Sequence, residues 1–228
     1  MSVISRELMT LYEAKKNDVL PQLSTLTIQY KDYVAWQAKE MQSTAFQDHK
    51  AYWKGQLLAP LSYLQLPTDY STSLKATTTK SAYYSITISK NTKHTIEQLA
   101  KCNAVSVFSV FMTAFKILLF RLTGEKDCSV GIPAANRNHD QLKNVVGSFL
   151  NTVIHRNEIT PETSVTDFLK DVNTNLLEGL EHQNYPFEKV LEDSNIASNQ
   201  HSFPISPVFL NLLDFDASTL ILGLFAGV

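Results

Sequence analysis

A chain of 228 residues, 44% hydrophobic and 18% charged, has the composition of a globular protein and not of a disordered one, with enough length for one large or two small domains. Its 20 basic and 22 acidic residues leave a formal net charge of −2, and no segment gathers Lys and Arg, which removes the electrostatic case for nucleic acid. Its two cysteines, Cys102 and Cys128, sit in no CxxC and no metal-ligand spacing, so reduced, buried thiols are expected and no metal site.

No secretory signal opens the chain, because Met1–Tyr12 alternates polar and apolar residues at helical spacing and carries Arg6 and Glu7. A membrane span needs about 20 apolar residues. The run Val105–Phe120 is broken by Lys116, and the apolar tail Thr219–Val228 has only ten residues. A cytoplasmic protein is expected.

In chain order, Ser2–Lys16 reads as an amphipathic helix with Val3, Leu8, Leu11 and Tyr12 on one face. Tyr30–Gln56 reads as a longer helical tract, because Tyr33, Trp36, Met41, Phe46, Tyr52 and Trp53 recur at helical steps. Periodicity is lost over Leu57–Lys80, a stretch rich in Pro, Thr and Ser that marks a linker and a domain boundary. Ala82–Ser89 alternates as a strand. Ser89 and Ser106 are placed to cap helices Lys90–Cys102 and Val107–Leu122, with Gly124 as the stop of the second. That second helix is apolar nearly all round and is expected to be buried.

Strands are then expected at Asp127–Pro133 and Ser148–Ile159, flanking a polar turn. Ser164–Leu180 is strongly periodic, and Pro186 opens a short helix through Glu192. A polar loop leads to a last apolar strand, Pro207–Phe215. Helices alternate with strands, so the class is α/β with a mixed β-sheet covered by helices. Arg137 at the end of one strand and Asn151 inside the next make little sense as packing alone. They suit the wall of a polar site shaped by the sheet.

The motifs add a resemblance. Tyr30-Lys31-Asp32-Tyr33-Val34-Ala35-Trp36 resembles YxDYxxW. Val130 to Arg137 (VGIPAANR) resembles VGxPxANR. Val146 to Thr152 (VGSFLNT), with Arg156, resembles (I/V)GxFxNTxxxR. His182 to Glu188 (HQNYPFE) resembles HQDYPFE, with Asn at 184. Pro207-Val208-Phe209 matches the close of a further motif whose usual Arg and Asp are missing around His201–Ser206. Together, in this order, they resemble the condensation domain of non-ribosomal peptide synthetases, over about residues 2–215, and so imply a chloramphenicol-acetyltransferase-like lobe.

The family's HHxxxDG is not found. The six histidines are His49, His94, His139, His155, His182 and His201; no two are adjacent and none has Asp four residues later. Met1–Tyr12 resembles the helix that follows HHxxxDG, so the resemblance implies a chain incomplete at both ends. It divides the chain into a helical remnant of the first lobe (1–58), a linker (59–81) and the second lobe (82–228).

The resemblance also implies roles. Arg137 matches the Arg that pairs with the Asp of HHxxxDG and ties the two lobes together. Asn151 either lines the substrate channel or fixes the backbone locally, since a buried amide is costly unless bonded. Arg156 is a third candidate for the channel or lobe interface, and His155, its neighbour, points to the opposite strand face. Tyr30, Asp32 and Trp36, like His182, Tyr185, Pro186 and Phe187, read as structural motif residues. No catalytic residue is assigned.

The implied parent reaction is peptide-bond formation between carrier-protein-bound thioesters, with phosphopantetheine on the partner carrier proteins and no cofactor bound directly. The chain alone is expected to be inactive without a first lobe. One half of a split enzyme, or a non-catalytic carrier-binding or scaffold protein, are the alternatives. An exposed apolar face left by the missing lobe is expected to drive self-association.

Overall fold

The computed structural model describes residues 2–57, 64–67, 82–194, 205–216 and 219–226. Its helices are α1 (Ser2–Lys16), α2 (Tyr30–Glu40), α3 (Thr44–Gln56), α4 (Lys90–Cys102), α5 (Val107–Thr123), α6 (Val165–Glu181) and α7 (Phe187–Asp193). Its strands are β1 (Asp127–Ala134), β2 (Asn151–Glu158), β3 (Val208–Asp216) and β4 (Thr219–Ala226).

Serine hydroxyls start most of these helices by accepting an otherwise orphaned backbone N–H. Ser43 accepts from Phe46 at 3.3 Å, Ser89 from Thr92 at 3.1 Å, Ser106 from Ser109 at 3.0 Å and Ser164 from Asp167 at 3.1 Å. Gly124 ends α5 in the left-handed region (φ 74°), its N–H bonded to Phe120 O at 2.8 Å. Pro186 is the cap of α7 and not its first helical residue.

The sheet is mixed, in the order β2-β1-β3-β4. β1 runs antiparallel to β2 and parallel to β3, and β3 runs antiparallel to β4. The parallel pair meets at Gly131 and Phe209. A Cβ on Gly131 would lie 2.4 Å from the Phe209 ring, so only glycine lets that ring cross β1. Beneath the sheet, Met112, Phe115 and Leu119 of α5 and Val172 and Leu176 of α6 form one core with Val130, Val153 and Leu210. Phe46, Trp53 and Leu57 join the same core, so α3 is part of it. A smaller cluster of Tyr33, Leu142, Val145 and Phe149 fastens α2 to the segment between β1 and β2.

Several expectations are corrected. The tract 30–56 is two helices, because the Ser43 side chain, accepting from Phe46 N, caps a new start at Thr44 and the chain turns at 41–43. β2 begins at Asn151 and not Ser148, since Tyr30 Oη donates to Ser148 O at 2.9 Å and holds that carbonyl outside the ladder. Residues 82–89 form no strand; Tyr84 is 91% and Ile86 76% exposed, with no ladder partner among the described residues. A strand without a partner leaves its backbone groups unpaired, and alternation alone cannot supply one. Thr219–Ala226, for which the sequence predicts no element, is β4.

Cys128 is buried as expected but Cys102, on the last turn of α4, is exposed. On α1 only Val3 of the expected apolar face is buried; Leu8 and Tyr12 are each 62% exposed. In the linker, Leu64 is buried at 2%, so that stretch touches the core in mid-course; residues 58–63 and 68–81 lie outside the described residues. On α5, Met112 and Leu119 are buried while Leu118 and Leu122 are about half exposed, so the helix is not enclosed all round. No single helix among the described residues is long and apolar enough to cross a membrane, and α4 and α5 are bent by 104° at their junction, where Ala104 takes a left-handed φ of 53°.

Candidate functional site

β1 delivers the chain to the site. Its end, Ala134, is followed by Asn136 in the left-handed region (φ 49°), a conformation asparagine tolerates better than most residues. The Asn136 amide donates to Tyr33 Oη at 3.3 Å, tying the strand end to α2. Arg137 follows and is half-buried. Its Nη1 donates to Leu142 O and, at 2.8 Å, to Val145 O, closing the connection on itself. The guanidinium carbon lies 4.1 Å from the Phe149 ring centroid, within cation–π range.

The aromatic motif of α2 builds the other side. Phe149 packs at 4.7 Å from Tyr33 and edge-on at 5.2 Å from Tyr30. Tyr30 lies on Gly147, where a Cβ would come 2.2 Å from its ring. Asp32 does not pack but caps: its carboxylate accepts the Gln29 N–H at 2.8 Å, at the start of α2. Trp36, 40% exposed, meets His139 edge to face at 5.2 Å.

The corner between α6 and α7 closes the site from a third direction. Asn151 holds it with every hydrogen-bonding group it has. Its Nδ2 donates to Gln183 O at 2.7 Å and Tyr185 O at 2.8 Å. Its Oδ1 accepts from Phe187 N at 3.0 Å and Thr152 N at 2.9 Å. Pro186 caps the helix that Phe187 begins, and the Tyr185 hydroxyl donates to Asp193, which also pairs with Lys50 at 2.8 Å. Burial and that carboxylate push the Tyr185 hydroxyl above its ordinary range.

His182 lies face to face with Tyr52 at 4.0 Å, and its Nδ1 is 2.7 Å from His49 Nδ1, so one proton sits between the two rings. Burial, then the nearby His49, lowers the His182 pKa. Asn138 Nδ2 donates to Asn184 Oδ1 at 2.7 Å, joining this corner to the β1–β2 connection.

Arg156 lies apart from these groups, further along β2. It grips Asp127 through Nε at 2.8 Å and Nη2 at 2.7 Å, and its Nη1 donates to Gln56 O at 2.6 Å. This bidentate pair locks β2 to β1 and to the end of α3. His155 faces inward. Its Nε2–H donates to Val172 O at 2.9 Å, its Nδ1 has no partner among the described residues, and burial holds its pKa well below the ordinary value. A neutral imidazole under the sheet cannot reach a substrate.

Sequence reasoning missed the polar knot beneath the sheet. Lys116, fully buried, donates to Cys128 O at 3.0 Å, His155 O at 3.0 Å and Asn157 Oδ1 at 2.8 Å. Burial lowers its pKa from 10.5 to about 7. The signal was present, since a lysine on the sheet-facing side of an apolar helix needs acceptors. His49 carried no such signal, because its partner His182 is 133 positions away.

Comparison with known proteins places this architecture. The condensation domain family model matches residues 1–219. Over 219 residues, 95% of this chain, it is 34% identical to tyrocidine synthase 3 of Brevibacillus parabrevis. Over 216 residues, again 95% of this chain, it is 32% identical to bacitracin synthase 3 of Bacillus licheniformis. It spans 3% of the length of each. Among solved structures, the first condensation domain of the CDA synthetase superposes with a TM-score of 0.70 at 16% identity, covering 95% of this chain and 47% of that one. With the condensation-domain model matched by residues 1–219 of its 228 and its motifs gathered around one strand end, the chain belongs to the condensation-domain family.

Proposed function

We infer that this chain supplies the second-lobe wall, and the trailing helices of the first lobe, of a condensation site that joins two carrier-protein-bound substrates through an amide bond. The observation that carries the reading is the convergence of the four motif segments on the end of β1, with Arg137 fixed there by Leu142 O and Val145 O. In the reaction, the acceptor amine nitrogen attacks the carbonyl carbon of the donor thioester. The C–N bond forms, the C–S bond breaks, the thiol leaves on the donor's phosphopantetheine arm, and the amine gives up a proton. Positioning and electrostatics supply most of the acceleration in such a step.

In this reading residues 1–58 come from the first lobe, with α3 packed into the core of the second, residues 82–228 form the second, and the protein works in the cytoplasm beside its carrier proteins. Arg137 commits only Nη1 internally among the described residues, so Nε and Nη2 suit a carboxylate on the first lobe. Asn151 and Arg156 act on the channel indirectly, by holding the α6–α7 corner and the β1–β2 pair. The imidazole of an HHxxxDG segment comes from outside these 228 residues.

The test is an amide-formation assay with aminoacyl-loaded carrier proteins, with and without an added first-lobe fragment bearing HHxxxDG. Product is expected only with the fragment, and an Arg137→Ala change should abolish it. Carrier binding with no product even when the fragment is added would favour a scaffold role. The exposed Leu8 and Tyr12 of α1 support self-association by the same face. Sedimentation is expected to show a dimer that Leu8→Glu disperses; a monomer at high concentration would remove that part of the reading.

A further inference from the structure

A cleft of about 220 Å³ opens where α2, α3, the β1–β2 connection and the α6–α7 corner meet. Trp36, Glu40, His49, His139 and Asn184 are among its lining residues, and no Lys or Arg is among them. We propose that this cleft binds a small organic cation, a primary ammonium carried on a short apolar body. The inference is independent of the condensation reading and rests on the sign and shape of the lining.

The sequence of α2 arranges the recognition groups. Tyr33, Trp36 and Glu40 are spaced at helical intervals, so they share one face. Trp36 presents an indole that is 40% exposed, braced by Tyr33 at 5.8 Å and by His139 at 5.2 Å. An indole face attracts cations through its quadrupole. Glu40 supplies the charge. One carboxylate oxygen accepts from Ser43 Oγ at 3.2 Å, which holds the group at the rim, and the other has no partner among the described residues. α2 ends and α3 begins at the same edge, so their dipoles oppose and neither sets the sign. The carboxylate does.

Two further groups fit a ligand with an oxygen acceptor beside its amine. Tyr33 Oη accepts from Gln37 Nε2 at 3.2 Å and from Asn136 Nδ2 at 3.3 Å, which leaves its own proton to give. Asn184 Oδ1 is taken by Asn138, which leaves its amide N–H groups as donors. The volume limits the ligand, because pockets for drug-sized molecules run to roughly 300–1,000 Å³.

The test is a titration of the 15N-labelled 228-residue chain with n-butylammonium chloride, and in parallel with n-butanol at matched ionic strength. The Trp36 indole N–H and the amides of 36–40 should move saturably with the ammonium, and n-butanol should bind about tenfold more weakly. Glu40→Gln should weaken ammonium binding by about five- to tenfold without shifting the melting temperature, Trp36→Leu should weaken it by a similar factor, and Trp36→Phe should keep most of the affinity. Equal binding of butanol and butylammonium, an unchanged Glu40→Gln affinity in a folded variant, or shifts confined to residues outside the cleft would each overturn the proposal.

Discussion

Asn151→Asp is the sharpest probe of the site, because it changes one group and no volume. In the native chain Nδ2 donates to Gln183 O and Tyr185 O at 2.7 and 2.8 Å, while Oδ1 accepts from Phe187 N and Thr152 N at 3.0 and 2.9 Å. An aspartate keeps the two accepted bonds and turns an acceptor oxygen toward two carbonyls. Each buried carbonyl left unsatisfied costs about 1–3 kcal/mol, so the substitution should cost about 4 kcal/mol, a large part of the 5–15 kcal/mol that holds a domain folded. Protonating the new carboxyl would restore one donor, so the deficit should shrink as pH falls toward about 4, near the ordinary aspartate range.

Urea unfolding followed by tryptophan fluorescence is the assay. Trp53 is 3% exposed and donates to His182 O at 3.0 Å on the same corner, so it reports the event directly. Hydrogen exchange at the Phe187 amide should accelerate in parallel. A variant within about 1 kcal/mol of the native chain, with Phe187 equally protected, would refute the claim that this amide holds the corner.

Lys116 gives a pH prediction. Its pKa is depressed from 10.5 to about 7 in the fold by burial, with Cys128, Asp127 and Asp171 as the nearby groups that oppose the shift, while His155 lies close by. Between those values the unfolded chain holds the extra proton, so stability should rise with pH across that window, by on the order of 4–5 kcal/mol. Lys116→Met should flatten the slope in denaturant midpoints measured from about pH 7 to 10; a flat native profile would contradict it. Gly147→Ala should cost about 2–3 kcal/mol by driving a methyl into the Tyr30 ring. Tyr30→Leu should then recover much of the loss in the double variant, as thermal melts would reveal. Arg156→Lys keeps the charge but loses the two-point grip on Asp127, and should lower the melting temperature by several degrees, for about 1–2 kcal/mol.

The elements that read clearly are those whose information is local. The Ser89 and Ser106 caps, the Gly124 stop and the 3.6-residue rhythm of α6 depend on residues within a few positions, and these were legible. Where sequence misled, a distant partner decides. Residues 82–89 alternate like a strand, yet pairing is a property of two segments. The break at 41–43 hides in an unbroken apolar rhythm, because Ser43 reads as a surface residue until its hydroxyl is found on Phe46 N. Arg137, Asn151 and His182, each within a motif, lie around the end of β1 and the α6–α7 corner. Their bonds were not legible: Asn151 is spent on four backbone groups, and His182 shares a proton with a histidine 133 positions away.

The grip of Leu142 and Val145 on Arg137 has a thermodynamic consequence. A free arginine forfeits on the order of 2 kcal/mol of rotamer freedom when a complex forms. Here the fold has already taken that freedom, so the carboxylate proposed for the first lobe would meet a guanidinium whose plane and azimuth are set. Selection at this position then acts on angle as much as on charge, and a lysine of equal charge would reach the same place without a defined direction to offer.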